Sequence, residues 1–215
     1  MRGKICGILQ AILTALVILS GGIALPILFR PFYYWHIEPL ALHSKVNLTA
    51  EHVKAAYNGM LDFCIGKTDT FSAGVLEFSE SGAAHFADVR ILFLLDLGAF
   101  FGAAILLMGL LLLKGKKTRL LRGHTPGFWS AVGLGIVAMF VGVVAAMDFD
   151  GAFTVFHKLV FPGKSNWIFD PVRDPVIRLL PEIFFRNCAV LIVGVVLVSC
   201  GALLLWDRRI RYKKR

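Results

Sequence analysis

Apolar residues along the chain are concentrated in four long blocks rather than spread at amphipathic spacing. The blocks run from Ile5 to Phe29, from Ile91 to Leu113, from Phe128 to Met147 and from Cys188 to Trp206. Each is close to the length of about 20 residues that a helix needs to cross a ~30 Å hydrocarbon core. Because hydrocarbon offers the backbone no hydrogen-bond partner, such runs have to be helical. The pattern predicts an all-α integral membrane protein with four transmembrane helices.

Composition agrees with this pattern and excludes an ordinary soluble domain. Of the 215 residues, 57% are hydrophobic and 17% are charged, and the mean hydropathy is +0.73. The first block follows Arg2 and Lys4, as the core of a cleavable signal would, but its apolar run exceeds the ~7–15 residues of such a core. We therefore interpret it as a membrane helix within a single membrane domain over residues 1–215.

The distribution of charge predicts the orientation of the helices. The chain has 23 basic and 14 acidic residues, with a net charge of +9. One side of the four blocks carries, opposed there only by Asp207, the basic residues Arg2, Lys4, Lys114, Lys116, Lys117, Arg119, Arg122, Arg208, Arg209, Arg211, Lys213, Lys214 and Arg215. By the positive-inside rule this side is cytoplasmic, and both termini lie inside. A basic tail also suits nucleic acid, but this tail begins within a turn of a membrane helix, which favours an anchor at anionic lipid and no nucleic-acid partner.

The two long connections, residues 30–90 and 148–187, lie on the opposite side. Within the first, residues 47–64 place apolar side chains at helical spacing after the capping candidates Asn47 and Thr49, which predicts an amphipathic helix. We expect the two connections to form an extracytoplasmic cap over the four helices, with a lipid-facing pocket between cap and helices.

The second connection is rich in aromatic residues, which are typical of a membrane interface. Prolines divide it into short pieces, at Pro162, Pro171, Pro175 and Pro181. We expect it to lie at the level of the lipid headgroups.

Features within the blocks point first to helix packing. Gly98 and Gly102 form a GxxxG spacing that is typical of close helix contacts in membranes. Asp96 is the acidic residue deep within a block, and an intramembrane carboxylate is a functional candidate. A buried partner for Arg90 or for a backbone amide explains Asp96 equally well.

Motifs for common cofactors are missing from the sequence. The four cysteines show no paired spacing, and the six histidines show no metal-binding spacing. Phosphate-binding, dinucleotide-binding and serine-hydrolase motifs do not occur either. We expect structural thiols, no metal and no cofactor.

Two histidines stand at the junctions between the cap and the blocks. His85 precedes the second block and His157 follows the third. Neutral imidazole is the side chain best suited to moving protons near neutral pH, although a single interfacial histidine is more often structural. Each lies among polar residues, with Asp88 and Arg90 near the first and with Asn166, Asp170 and Asp174 after the second.

Several strings around these histidines resemble the bacterial lipoprotein intramolecular transacylase (Lit) family. They are His85-Phe86-Ala87-Asp88-Val89-Arg90, Phe156-His157-Lys158-Leu159-Val160-Phe161, Asn166-Trp167-Ile168-Phe169-Asp170-Pro171, Asp174-Pro175-Val176-Ile177 and Leu180-Pro181-Glu182-Ile183-Phe184-Phe185. The resemblance extends over the whole chain, since the family has four membrane helices, both termini inside and an outer cap. Each string is weak alone, but their order and their positions relative to the helices make the set specific.

The resemblance implies an acyltransferase of lipoprotein processing in the bacterial cell membrane. Such an enzyme moves the sn-2 acyl chain of a diacylglyceryl-cysteine lipoprotein to the α-amino group of the same cysteine, and the product is a lyso-form, N-acylated lipoprotein. An amide is more stable than the ester it replaces, so the transfer needs neither ATP nor a cofactor.

The substrate's chemistry then suggests a role for each candidate residue. The α-amine must lose a proton to attack, and His157 is the candidate base. His85 would orient His157 or relay the proton to the departing glyceryl oxygen. Arg90, Asn166 or a backbone N–H could stabilise the oxyanion, and Asp88 and Asp174 are orienting candidates. An acyl-histidine intermediate is an alternative route.

Other functions remain open at this stage. A lipid or lipoprotein ester hydrolase would use water in place of the amine. A transporter subunit would have more polar residues within its membrane spans than this chain has. A non-catalytic scaffold would leave both histidines replaceable.

Overall fold

The computed structural model describes residues 2–114 and 120–213. The basic residues Lys116, Lys117, Arg119, Lys214 and Arg215 lie outside the described residues. The described helices are α1 (Arg2–Leu28), α2 (Pro31–Ile37), α3 (Leu42–Lys45), α4 (Ala50–Cys64), α5 (Glu80–Lys114), α6 (Pro126–Met147), α7 (Phe149–Val160) and α8 (Glu182–Tyr212), with a 3₁₀-helix at Pro175–Leu179.

Four of these helices are long and apolar enough to cross a membrane. The candidate spans are Lys4–Leu28, Glu80–Leu113, Pro126–Met147 and Glu182–Tyr212. Each span contains all or nearly all of one apolar block, so the prediction of an all-α, multi-pass membrane protein is confirmed.

Helix α5 is longer than the apolar block that predicted it. It begins at Glu80 rather than at Ile91 and has 35 residues. At 1.5 Å per residue this is roughly 52 Å, well beyond a ~30 Å hydrocarbon core. His85 therefore lies within the helix and not before it. Hydropathy detects the part of a helix that faces lipid, and the first turns of α5 carry polar residues that this signal misses.

The described residues form two compact units, and the first, which we call the bundle unit, contains residues 2–25, 96–114, 120–144 and 190–213. Its core joins α6 to α8 through the buried residues Ala131, Ala138, Val196 and Cys200. The hydroxyl of Ser130 on α6 also donates to the carbonyl of Ala11 on α1, at 2.7 Å. Small side chains thus allow these helices to approach closely, as expected within a membrane.

The glycines that make close contacts in the bundle unit are not those of the GxxxG spacing. A Cβ added at Gly98 or Gly102 would meet no described atom within 4 Å, so their predicted packing within the chain is wrong. By contrast, a Cβ at Gly21 of α1 would lie 2.9 Å from the ring of Phe100 on α5. The GxxxG spacing identifies a helix face without bulky side chains. It does not predict which helix, if any, packs against that face.

The membrane carboxylate Asp96 has a partner on a neighbouring helix. The hydroxyl of Ser20 on α1 donates to it. Arg90, the partner considered from the sequence, bonds instead to Thr68 and Asp69. Asp96 thus joins α1 to α5, while its Oδ2 is buried without a hydrogen-bond partner among the described residues.

A buried carboxylate ties the start of α6 to the end of α8. Asp207 has 0% exposure. It accepts hydrogen bonds from the Thr125 backbone N–H at 2.6 Å, from His124 Nδ1 at 2.9 Å and from Arg211 Nε at 2.9 Å. A buried carboxylate is tolerated when donors of this kind surround it.

The second compact unit, the cap unit, contains residues 26–95 and 145–189. The predicted amphipathic helix is confirmed as α4, and the Thr49 side chain accepts from the His52 backbone N–H at its N-cap. Its apolar positions are buried, including Val53, Ala56, Tyr57, Met60, Leu61 and Cys64. The prolines also interrupt the second connection as expected, since α7 ends before Pro162 and the 3₁₀-helix and α8 begin at or after Pro175 and Pro181.

An aromatic cluster forms the centre of the cap unit. The rings of Tyr33 and Tyr57 stack with centroids 3.7 Å apart, and Phe184 packs edge-on to Tyr33 at 5.2 Å. The Tyr33 hydroxyl donates to the carbonyl of Leu179 at 2.9 Å. These contacts join α2, α4, the 3₁₀-helix and α8 within this unit.

Replacing Asp207 by alanine should destabilise the protein by about 3 kcal/mol, because the substitution leaves the buried Thr125 N–H without an acceptor and breaks the ion pair with Arg211. The thermal unfolding midpoint of the purified protein in detergent measures this effect. The matched control is Asp150→Ala on the exposed surface of α7. Equal midpoints for the two variants would contradict the structural role of Asp207.

Candidate active site

Two histidines that are far apart in the sequence lie close together in the cap unit. His85 is carried by α5 and His157 by α7, and their ring centroids are 5.8 Å apart. Both residues are buried, with exposures of 6% and 7%. Asp148 caps the N-terminus of helix α7, where its carboxylate accepts from the Gly151 backbone N–H at 2.9 Å. The structure thus brings together the two residues that the sequence proposed as a catalytic pair.

Aromatic rings surround this pair. Phe161 and Phe169 pack edge-on to His85, with centroids at 5.1 and 5.5 Å. The ring centroids of Trp167 and Phe153 lie 4.9 and 4.1 Å from the ring centroid of His157. These rings replace water around the imidazoles and create a site of low polarity.

One hydrogen bond defines the tautomer of the neutral His157 ring. Its Nδ1 lies 2.8 Å from the carbonyl oxygen of Phe153, one turn earlier on α7. Because a carbonyl only accepts, Nδ1 must donate, and Nε2 of the neutral ring is then the unprotonated nitrogen. Burial lowers the pKa of His157 from its usual value, and the bond to Phe153 opposes this shift only in part. His157 thus offers an acceptor nitrogen at neutral pH.

His85 complements this arrangement. Its Nδ1 is buried and has no hydrogen-bond partner among residues 2–114 and 120–213. A buried polar atom without a partner is costly in a folded protein and marks a position that a bound molecule can satisfy.

Asp88 links α5 to the loop after α7. It lies one turn beyond His85 and accepts from Lys164 Nζ and from Asn166 Nδ2, the latter at 3.0 Å. The bonds hold the segment that carries Trp167 and Phe169 against the histidines. Two of the predicted supporting residues, Asp88 and Asn166, therefore lie beside the pair. Lys164 was not predicted, because its partner is 76 positions away in sequence and no local pattern marks it.

Arg90 is directed to a different part of the cap unit. Its guanidinium donates to the Thr68 carbonyl at 2.8 Å and to Asp69 at 3.1 Å, and it lies over the ring of Phe63 at 4.9 Å. The structure does not show it in contact with either histidine. Its contacts fasten α5 to the segment that follows α4.

Asp174 contributes to the position of α5 from its N-terminus. Its carboxylate accepts from the Ser79 backbone N–H at 2.7 Å and from the Ser79 hydroxyl at 2.8 Å. The same hydroxyl accepts from the Gly82 backbone N–H at 3.0 Å, which caps the helix. A Cβ at Gly82 would lie 2.4 Å from an Asp174 oxygen, so this close approach requires glycine. The Asp174 carboxylate thus holds the N-terminus of α5, the helix that carries His85.

The remaining reactive side chains do not extend the site. All four cysteines are free thiols. Among the residues that the structure describes, no three histidine, cysteine or carboxylate side chains lie close enough to bind a metal ion.

Comparison with known proteins gives a family match over most of the chain. The family model described as lipoprotein intramolecular transacylase Lit matches residues 8–185. This range includes both histidines, Asp88 and the 161–169 segment. No curated protein matches the chain in sequence.

Solved structures with the same fold come from Bacillus cereus. The membrane-integral lipoprotein intramolecular transacylase Lit of that organism has a TM-score of 0.86 and 22% identity, over 100% of this chain and 98% of that one. Two variants of it, with a histidine replaced by arginine or by alanine, have TM-scores of 0.79 and 22% identity. The matches cover 100% of this chain and 94% and 96% of those chains. At this level of identity the likeness shows the fold.

His157 in the folded protein should bind its proton at a pH below ~6.5, the ordinary histidine value, because burial disfavours the imidazolium. The unfolded chain takes up this proton at higher pH than the folded chain. The stability that the neutral ring contributes is therefore complete above pH ~6.5 and is lost as the pH falls through the lower, folded value. NMR titration of histidine-labelled protein in detergent measures the midpoint, with His157→Gln identifying the resonance. A midpoint at or above the ordinary value would contradict the burial argument.

Proposed function

The chain belongs to the lipoprotein intramolecular transacylase family and is an acyltransferase, and from this premise we propose that it transfers the sn-2 acyl chain of a diacylglyceryl-cysteine lipoprotein to the α-amino group of the same cysteine. The family match confirms the resemblance found in the sequence. The observation that supports the proposed chemistry is a pair of buried imidazoles, one with a defined acceptor nitrogen.

The transfer exchanges one bond to the acyl carbon for another. The amine nitrogen forms a bond to the ester carbonyl carbon, and the bond from that carbon to the glyceryl oxygen breaks. The amine loses a proton and the glyceryl oxygen gains one, so the protons balance without a co-reactant. Both reacting groups belong to one molecule, and the protein's contribution is to hold them together and to move protons.

His157 is the proposed general base. A free α-amine has a pKa near 7.7–8.0, so a substantial fraction is protonated at neutral pH and a proton must be removed for attack. Nε2 of His157 is the acceptor that the Phe153 bond leaves available. Because burial keeps this ring neutral, the base is ready before the substrate arrives.

His85 is the proposed partner in proton transfer. Its unsatisfied Nδ1 can donate to the departing glyceryl oxygen or to the oxyanion. Asp88 and Asn166 hold the loop after α7, which packs on the two histidines. Arg90 and Asp174 hold α5 without contacting either histidine. We therefore assign the last two to positioning rather than to the oxyanion.

Helix α7 supports contact between the site and membrane lipid. Val155, Phe156 and Leu159 on one face of α7 are exposed, while His157 on the opposite face is buried. The helix begins two residues after the membrane span of α6 ends. An amphipathic helix at that point lies in the interface, where its apolar face contacts acyl chains. His157 then stands near the depth of a glyceryl ester.

We also propose the orientation that the charges favour. Basic residues flank the cytoplasmic ends of the spans, so both termini lie inside and the histidines face the outside of a bacterial cell membrane. A diacylated lipoprotein presents its lipid-bearing cysteine at that surface.

A diacylated lipopeptide whose α-amine has been acetylated should be returned unchanged by the purified protein, because it lacks the nucleophile. The unblocked peptide should yield the N-acylated lyso product, measured by mass spectrometry. Lower pH should slow this transfer, since protonation removes both the neutral amine and the neutral imidazole. A lipid hydrolase would use water, so fatty acid released from the blocked peptide, and lost in His157→Ala, would replace the transacylase with a hydrolase.

His157→Ala and His85→Ala should each lower turnover by roughly 10²–10⁴-fold, the range for loss of general acid–base catalysis. If the two imidazoles act as one unit, the double variant should be scarcely worse than either single variant. Turnover of a synthetic diacylated lipopeptide measures this. His52→Ala, at an exposed position on α4, is the matched control and should retain activity. Defects that multiply in the double variant would show two independent roles.

A further inference from the structure

Asn166 has a side-chain orientation that its partner dictates. Its Nδ2 donates to Asp88 Oδ2 at 3.0 Å. A carboxylate only accepts, so the amide nitrogen has to face Asp88 and the amide oxygen has to face the other way. Asp88 is itself held by Lys164, which balances its charge. The position of Oδ1 is therefore fixed by neighbours on two elements.

This fixed oxygen is buried and unsatisfied. Oδ1 of Asn166 receives no hydrogen bond from any residue in the described ranges. The amide is also polarised, because its NH₂ group donates to a carboxylate, and this strengthens the oxygen as an acceptor. A strong, buried acceptor without a donor costs stability unless a bound molecule supplies the donor.

Asn166 lies between contacts to the histidine site. The next residue, Trp167, packs on His157 at 4.9 Å, and Asp88 is one turn from His85 on α5. His157 Nε2 is a second acceptor in this region. The site thus presents two acceptors, and a group with several N–H donors is the chemical complement of two acceptors.

We propose that Asn166 Oδ1 binds the α-amino group of the substrate cysteine and selects substrates in which this amine is free. The inference rests on the proposed function, because that reaction supplies a primary amine. The neutral amine donates one N–H to Asn166 and the other to His157 Nε2, and its lone pair is directed at the ester carbonyl. As the bond from nitrogen to carbon forms, His157 takes the second proton, and the glyceryl oxygen leaves and gains a proton.

Binding of lipopeptides that cannot react tests this role apart from turnover. The first probe is a dialkylglyceryl-cysteine peptide whose ether links replace both esters. The second is the same lipopeptide with the α-amino group replaced by hydrogen. Wild-type protein in detergent should bind the amine probe on the order of tenfold more tightly, as the hydrogen bonds of the amine to two acceptors predict. Asn166→Ala should lower this preference severalfold, and the part that remains comes from the N–H bound to His157 Nε2.

Two further variants make the result specific. Asn166→Gln keeps an amide, whose NH₂ group can still donate to Asp88 and whose oxygen can still accept from the amine, and it should restore the preference for the amine probe. Asn47→Gly removes an asparagine side chain at an exposed turn with positive φ and should behave as wild type. Since each ratio is measured within one variant, a general weakening of lipid binding cancels.

Several results would overturn the assignment. Equal binding of both probes by wild-type protein would do so without any variant, and so would an undiminished preference in Asn166→Ala. If Asn166→Ala binds neither probe, Asn166→Gln decides, because equal binding of the two probes by that variant contradicts the role and a preference at the wild-type level supports it. A wild-type protein that prefers the amine probe yet fails to transfer acyl groups would instead refute the proposed function.

Discussion

Withdrawal of the His157 imidazole from water is the constraint on which the site depends. In water a histidine is partly protonated near neutral pH, and an imidazolium cannot accept a proton from an amine. Burial disfavours the charged ring and leaves Nε2 unprotonated, while the Phe153 carbonyl fixes which nitrogen carries the hydrogen. The aromatic rings around the pair maintain this burial. A negatively charged neighbour would work against it, which gives a physical reason for Lys164 to be bound to Asp88.

Such a site needs α5 and α7 to stay in fixed positions relative to each other. Within the cap unit, contacts that do not involve the histidines hold α5 in place. The N-terminus of α5 is held by Asp174 through Ser79, and a later turn is held by Arg90 through Thr68 and Asp69. A helix fixed at two points cannot rotate its histidine away from α7. These polar residues thus hold the helix that carries His85, although neither touches His85 in the structure.

The sequence predicts the fold well because hydrocarbon allows few solutions. Continuous apolar runs specify four helices, and the spacing of apolar residues in α4 specifies its buried face. The pair of His85 and His157 was predicted from residue chemistry and from the family resemblance. The start of α5 at Glu80 was missed because polar first turns carry no hydropathy signal. The contacts of Lys164, Arg90 and Asp174 were not predictable, since each depends on a partner brought close by tertiary folding.

An enzyme that transfers an acyl group to an amine has to make attack by the amine faster than attack by water. Proximity supplies most of the advantage, because a well-oriented group in the same molecule reaches effective concentrations of about 10⁵–10⁸ M, beyond that of any liquid. This advantage exists only while the amine is neutral and aligned. Under the proposed function, a neutral His157 would take the proton that the amine loses, and an acceptor such as Asn166 Oδ1 would align the amine. The aromatic rings around His157 contribute to the first condition, because burial keeps the imidazole neutral.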